Sequence, residues 1–310
     1  MHVSPRFFGL DTVMIDVVLK IEALPLRGSD SLASERLVTA GGGFNAMSAA
    51  ARQGMKVSYV GQIGMGVFAD IARRALDGES IDVAVPARVG VDLGFCVVLV
   101  DREGERTFVT SPGAEGTLTA RELVAVEMAD GDYVSLSGYN FVYDSIRKET
   151  VEWLDQLSDG VIVCFDPGPR VLDIPAQTLQ AVLARTDWLL CNLSEAMGLT
   201  GETSGVRCAE RLLSVSARRG VIVRTGAQGC VGVRRGEKPV TVPGIKVPVV
   251  DTNGAGDVHN GVFLAETARG TSFLEALERA NVAAAVAIGE FGPATCPPRA
   301  VVSREMELNS

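Results

Sequence analysis

Histidine is nearly absent from this 310-residue chain, with His2 and His259 its only two and far apart. A histidine-based zinc site and a Ser-His-Asp triad are both poorly supported on that count. The six cysteines (Cys96, Cys164, Cys191, Cys208, Cys230, Cys296) make no C-x-x-C pair. Several lie in apolar runs such as Val161-Ile162-Val163-Cys164-Phe165, which reads as buried reduced thiols rather than a disulfide framework. Basic residues are outnumbered, and the net charge of −9 offers no basic stripe to a nucleic acid. No uninterrupted apolar segment is long enough to cross a bilayer. The start, Met1-His2-Val3-Ser4-Pro5-Arg6, lacks the basic-then-apolar layout of a signal peptide, so the expected location is the cytoplasm. No G-x-x-x-x-G-K-[S/T] occurs. Gly61-Gln62-Ile63-Gly64-Met65-Gly66 is spaced G-x-x-G-x-G, which denies an NAD-dependent enzyme its fingerprint.

What is present is apolar. Hydrophobic residues make up 47%, enough for one large α/β domain or two small ones. The most informative stretch is Asp251-Thr252-Asn253-Gly254-Ala255-Gly256-Asp257, followed by Val258, His259, Asn260 and Gly261. Val247-Pro248-Val249-Val250 leads into it as a strand end, and Val262, Phe263, Leu264, Ala265 and Ala268 follow at helical spacing. Gly254, Ala255 and Gly256 thus stand at a helix start. Bare backbone there lets an anion approach free N–H groups and the positive end of the dipole. Asp257 falls in the first turn. An anion hole beside a carboxylate suits phosphoryl transfer to a hydroxyl; a tight turn with a helix cap is the plainer alternative.

The eleven residues from Asp251 to Gly261 closely resemble the C-terminal signature, D-T-x-G-A-G-D, of the ribokinase-like (PfkB) carbohydrate and nucleoside kinases. Near the N-terminus, Ala40-Gly41-Gly42-Gly43-Phe44-Asn45-Ala46 leads into an Ala-rich helix stopped by Gly54, and it resembles the same family's other signature. Alanine stands at 40 where glycine is usual, and glycine stands at 42 where ribokinase proper has lysine. Asp16 lies in the apolar run Val13 to Leu19, expensive there without a partner. The resemblance makes Asp16 and Asn45 holders of sugar hydroxyls, with the backbone of Gly41 and Gly42 beside them. It covers about Phe7 to Pro298.

Between the signatures, strands alternate with helices. Tyr133–Leu136, Val161–Phe165 and Trp188–Cys191 each precede a helix, which implies a mainly parallel sheet with helices on both faces and ligands beyond the carboxyl ends of its strands. The hairpin from Gly94 to Thr110, joined to strands within about 12–38, makes a small separate sheet. The resemblance identifies this as a lid on a three-layer ribokinase-like α/β fold, one domain over 1–310. Lid strands in the family often pair between subunits, which extends the expectation to a homodimer.

Strand ends supply the remaining candidates. Tyr139, in Ser137-Gly138-Tyr139-Asn140, either borders the substrate or lies in a solvated loop. Arg170, in Asp166-Pro167-Gly168-Pro169-Arg170, either binds an acidic group or pairs with a surface carboxylate. Asn192-Leu193-Ser194-Glu195 matches the family motif N-x-x-E, which acts on Mg2+ and ATP phosphates largely through water; a helix cap is the alternative. Gly226 and Gly229 fit the nucleotide loop T-x-G-x-x-G, with Arg224 in place of threonine as a charge for phosphate or a sign that the loop works differently. Asn281 stands where the family has an asparagine by the nucleotide, and the loop 289–298 is expected at the adenine. Asp251 and Asn253 would help to hold a monovalent cation, K+ in many relatives. His259 is expected to pack.

These residues imply in-line transfer of the γ-phosphate from MgATP to a hydroxyl of a small sugar. Asp257 takes the proton, and the N–H groups of Asn253 to Gly256 hold the charge. A nucleoside acceptor is the alternative, with Phe44, Phe95, Phe108 and Tyr139 as a slot for its base. A non-catalytic sensor of the same ligands is the alternative of another class.

Overall fold

Within the strand segments, neighbouring residues face opposite layers, and this alternation builds two cores. The computed structural model describes residues 4–308, so His2 falls outside it. Among these, thirteen strands are present: β1 (Arg6–Gly9), β2 (Val13–Lys20), β3 (Glu35–Gly42), β4 (Lys56–Tyr59), β5 (Asp82–Val83), β6 (Phe95–Val100), β7 (Arg106–Ser111), β8 (Tyr133–Ser137), β9 (Ile162–Asp166), β10 (Trp188–Asn192), β11 (Gly220–Arg224), β12 (Gly229–Arg234) and β13 (Val240–Pro243). Nine form the large sheet in the order β13-β12-β11-β10-β9-β8-β1-β4-β5. It is parallel from β11 to β5, and β12 and β13 close one edge antiparallel.

Helices cover both faces: α1 (Phe44–Arg52), α2 (Val67–Gly78), α3 (Ala120–Val124), α4 (Tyr139–Val142), α5 (Asp144–Leu154), α6 (Ala176–Arg185), α7 (Leu193–Thr200), α8 (Gly205–Val215), α9 (Ala255–Arg269), α10 (Phe273–Ala287) and α11 (Arg299–Leu308). Phe7, Ile162, Cys164, Trp188, Leu190 and Ile222 bury against α1, α2, α9 and α10. Their neighbours Phe8, Val163, Phe165, Leu189, Cys191 and Val221 bury against α5 to α8. Each large apolar side chain so buried contributes roughly 1.5–3 kcal/mol. Trp188, Phe263 and Phe273 stack across the first core, with centroids 5.1–6.1 Å apart. All six cysteines are buried and free, as their apolar surroundings led us to expect.

The second sheet has four strands in the order β3-β2-β6-β7. Its strand β3 runs on to Gly42 and so delivers the glycine segment directly into α1. Register sorts its two faces. Asp16 lies opposite Thr39 of β3 and Cys96 of β6, so these share the inner face. Phe95 takes the outer face and stacks on Phe68 of α2, with centroids 4.8 Å apart. No helix is long and apolar enough to cross a membrane among the described residues.

Candidate active site

The site grows from the start of α9. Gly254 caps it at φ +75°, and a Cβ there would lie 2.0 Å from the Pro293 carbonyl oxygen, so both conformation and space demand glycine. The N–H groups of Gly254, Gly256 and Asp257 meet no internal acceptor and look outward at the positive end of a fifteen-residue helix. Asn253, expected to belong to this anion hole, donates its N–H to Asp251 Oδ1 at 2.8 Å instead. Ala255 N–H turns back to the Thr252 carbonyl at 3.4 Å.

Asp257 projects from the first turn of α9 and accepts Asn45 Nδ2–H at 3.0 Å. Packing of α1 on α9 through the first core brings Asn45 there. Asp257 is in no ion pair among the described residues. Burial raises its pKa to about 6, against the Asn45 hydrogen bond and with help from Asp166. Asp16 stands on the inner face of the lid sheet with no protein donor in reach among the described residues. Burial first, and Asp257 second, lift it to about 6. Gly41 explains how Asp16 fits: a Cβ at 41 would lie 2.1 Å from Asp16 Oδ2. Gly42 (φ +61°) makes the turn from β3 into α1.

Two carboxylates that sequence reasoning left without a role belong to the same group. Asp11, between β1 and β2, accepts Ser135 Oγ–H at 3.0 Å through Oδ2, while its Oδ1 is buried without a partner. Burial pushes it up to about 7, with Asp166 and Asp257 adding to the effect. A charged residue right after a buried strand was the available signal. Asp166, at the end of β9, accepts Asn260 Nδ2–H at 2.7 Å and pairs with Arg224 at 3.1 Å. Arg224 also donates to Asn260 and is buried beside the turn, where a Cβ at Gly256 would be 3.3 Å from its Nε. It therefore acts as an internal counter-charge adjoining the anion hole.

Glu195 and Asn192 form a capping box on α7. Asn192 N–H and Nδ2–H donate to Glu195 at 2.9 and 2.7 Å, and Glu195 N–H returns to Asn192 Oδ1. Burial, then Asp166, raises Glu195 to about 7. Carboxylates that lift one another in this way form a set short of positive charge, which suits a divalent cation arriving with nucleotide phosphates. Among the described residues no three ligands gather for a metal, so phosphates and water would supply most of its coordination.

The other candidates lie around this centre. Tyr139 opens α4 and stacks on Tyr143, with centroids 6.1 Å apart. Arg170 takes the second of its two readings, donating to Asp173 at 2.8 Å on a half-exposed surface. Opposite the acid cluster, a cavity of about 530 Å³ is lined by Asn192, Arg224, Gly226, Gly229, Ala255, Gly256, His259 and Asn281, with apolar walls from Val247, Val249, Ala284 and Ile288. Of the residues expected at the nucleotide, Asn192, Arg224, Gly226, Gly229 and Asn281 line this cavity and Glu195 does not, with Asn281 anchored by donation to the Val242 and Pro243 carbonyls. The loop 289–298 was expected here. Its Phe291, Gly292 and Pro293 border instead a second cleft, between the lid sheet and the Asp251 turn.

Asp251 and Asn253 do not fit a monovalent cation. Asp251 pairs with Arg106 of β7, and its oxygens also accept N–H from Asn253 and, at 3.2 Å, from Gly292. A guanidinium already neutralises the carboxylate that such an ion would need.

The family model described as pfkB family carbohydrate kinase matches residues 8–300. The protein named uncharacterized sugar kinase YegV of Escherichia coli (strain K12) is 31% identical over 92% of this chain and 89% of its own. An ATP-dependent ribose-1-phosphate kinase of Halopiger xanaduensis is 30% identical over 94% and 95%. The crystal structure of ribokinase from Thermotoga maritima superposes with a TM-score of 0.81 at 26% identity, over 98% of this chain and 100% of that one. Both sequence relatives are named as sugar kinases, the ribokinase superposes over nearly the whole chain, and the signature residues meet beside one anion hole: the chain belongs to the pfkB family of carbohydrate kinases and is an ATP-dependent sugar kinase.

Proposed function

We propose that the acceptor is a small, uncharged, polyhydroxylated sugar, phosphorylated at a hydroxyl whose proton Asp257 removes. The observation that carries this reading is the Asp257 carboxylate, held by Asn45 alone, at the mouth of the Gly254–Asp257 N–H groups. Asp257, Asp11, Asp16, Asp166 and Glu195 influence one another electrostatically. Arg224, the cation that acts on Glu195 and Asp257, is already paired with Asp166. Such a surface offers acceptors to hydroxyl protons and repels a second anion. Asp16, with no protein partner, would orient the acceptor, together with Asn45, Gly41, Gly42 and Tyr139.

On the donor side, ATP would lie in the cavity of Asn192, Gly226, Gly229 and Asn281. Magnesium, with Glu195 acting on it through water, would neutralise the phosphate oxygens as charge moves. The free N–H groups of α9 and the nearby Arg224 would stabilise the transferring phosphoryl group without rearranging. The small sheet would close over the acceptor and exclude water. Its edge strand β7, with Phe108 and Val109 about 60% exposed, suits pairing with a second copy. A nucleoside acceptor is less well supported, because Phe95 faces away from Asp16 and Phe44 is buried.

The test is ATP consumption with a panel of neutral pentoses and hexoses, sugar acids, sugar phosphates and nucleosides, each with and without potassium. Turnover is expected with a neutral sugar and at the same rate in both salts. Turnover confined to sugar acids or sugar phosphates would reject the neutral-acceptor assignment.

A further inference from the structure

His259 lies two residues beyond Asp257 on α9. Two residues turn a helix by about 200°, so the imidazole leaves on the side opposite the carboxylate. Ala255 and Gly256, four and three residues earlier, share its face, and all three line the nucleotide cavity. The side chain is only 3% exposed, and neither ring nitrogen makes a hydrogen bond of good geometry among the described residues, although the Asn281 side chain lies near enough to act on the ring. A buried polar ring with two unmet nitrogens is costly, and packing alone would be served better by a phenyl ring. Burial, reinforced by Arg224 and opposed by Asn281, pulls its pKa down to about 3, so the ring is neutral and carries one N–H donor and one bare nitrogen.

We propose that His259 reads the ribose of the bound nucleotide, giving and receiving a hydrogen bond at a sugar hydroxyl. This inference rests on the donor-site reading above. The Cα–Cβ bond of a helical residue tilts towards the helix N-terminus, which directs His259 under Ala255 and Gly256. Those residues adjoin the phosphate end, whereas the apolar walls of Ala284, Ala285 and Ile288 suit the base. The group next to the phosphates is the ribose. A hydroxyl both donates and accepts, as a neutral imidazole does.

The experiment compares the wild-type chain with His259→Phe, which keeps the ring volume and removes both nitrogens. Binding of ATP, 2′-deoxyATP, 3′-deoxyATP and GTP is measured by calorimetry, and thermal stability is measured without nucleotide. The wild type is expected to favour ATP over one deoxy analogue by about 3- to 10-fold, the size of one neutral hydrogen bond. In His259→Phe that preference should vanish through weaker ATP binding, the affinity for that analogue should hold, and the unliganded variant should melt no lower than the wild type. Unchanged ATP affinity would overturn the proposal, as would a lower melting temperature with the deoxy preference intact. Altered preference for GTP with the deoxy preference intact would overturn the ribose assignment in favour of the base. A wild type that binds none of the four would overturn the donor-site reading itself.

Discussion

The two sides of α9 solve opposite problems. On the proposed acceptor side, Asp11, Asp16 and Asp257 crowd together with pKa values lifted to between about 6 and about 7, and Asp16 meets no protein donor among the described residues. On the proposed donor side, a cavity of about 530 Å³ has apolar walls, outward-facing backbone N–H groups and a neutral histidine. Negative charge is thus concentrated on the side proposed to bind hydroxyl protons, while the cavity proposed for the nucleotide is mostly apolar. The helix separates the two environments by one turn, and Arg224, tied to Asp166 and Asn260, stands at the boundary.

The contrast can be broken from the acceptor side first. Asp16→Asn should lower kcat/KM for the sugar by about 10- to 100-fold, as expected for a hydrogen bond to a charged group, while the KM for ATP holds. Initial rates with each substrate varied in turn check this. An equal rise in both KM values would show that the two sides are not separate.

A smaller effect sharpens the same contrast. As the proposed base, Asp257 must be ionised to take a proton, so kcat/KM should be high above its pKa of about 6 and fall about tenfold per pH unit below it. Stability should run the other way. Asp11, Asp16 and Asp257 have folded pKa values above their ordinary 3.8, so the native chain holds more protons than the unfolded one between pH 4 and 7. Stability from these groups is therefore full below about 4 and lost as pH rises through 6 to 7. Thermal melts at pH 6 and pH 8, beside a pH–rate profile, should show stability and activity moving in opposite directions.

Much of this was legible in the sequence because it is local. The helix start at Gly254, the strand–helix alternation and the Gly94–Thr110 hairpin all announce themselves within windows of ten to twenty residues. The rest depends on long-range pairing. Arg224 meets Asp166 across 58 residues, and Asn260 meets Asp166 across 94. Arg106 reaches Asp251 across 145 and neutralises the carboxylate that the expected cation would use. Asp11 looks like any acid after a strand until Ser135 and the surrounding core are in place. His259 suggested packing, because only the folded neighbourhood leaves both its nitrogens without partners. Phe95 looked fit for an aromatic slot, and a single step of register sends it to the other face of the sheet.

The most direct test is single-turnover phosphoryl transfer by Asp257→Asn, beside ATP binding by the same variant. The mechanism predicts unimpaired nucleotide binding with transfer slower by about 10²- to 10⁴-fold, the usual worth of a positioned general base. Transfer at close to the wild-type rate would contradict it.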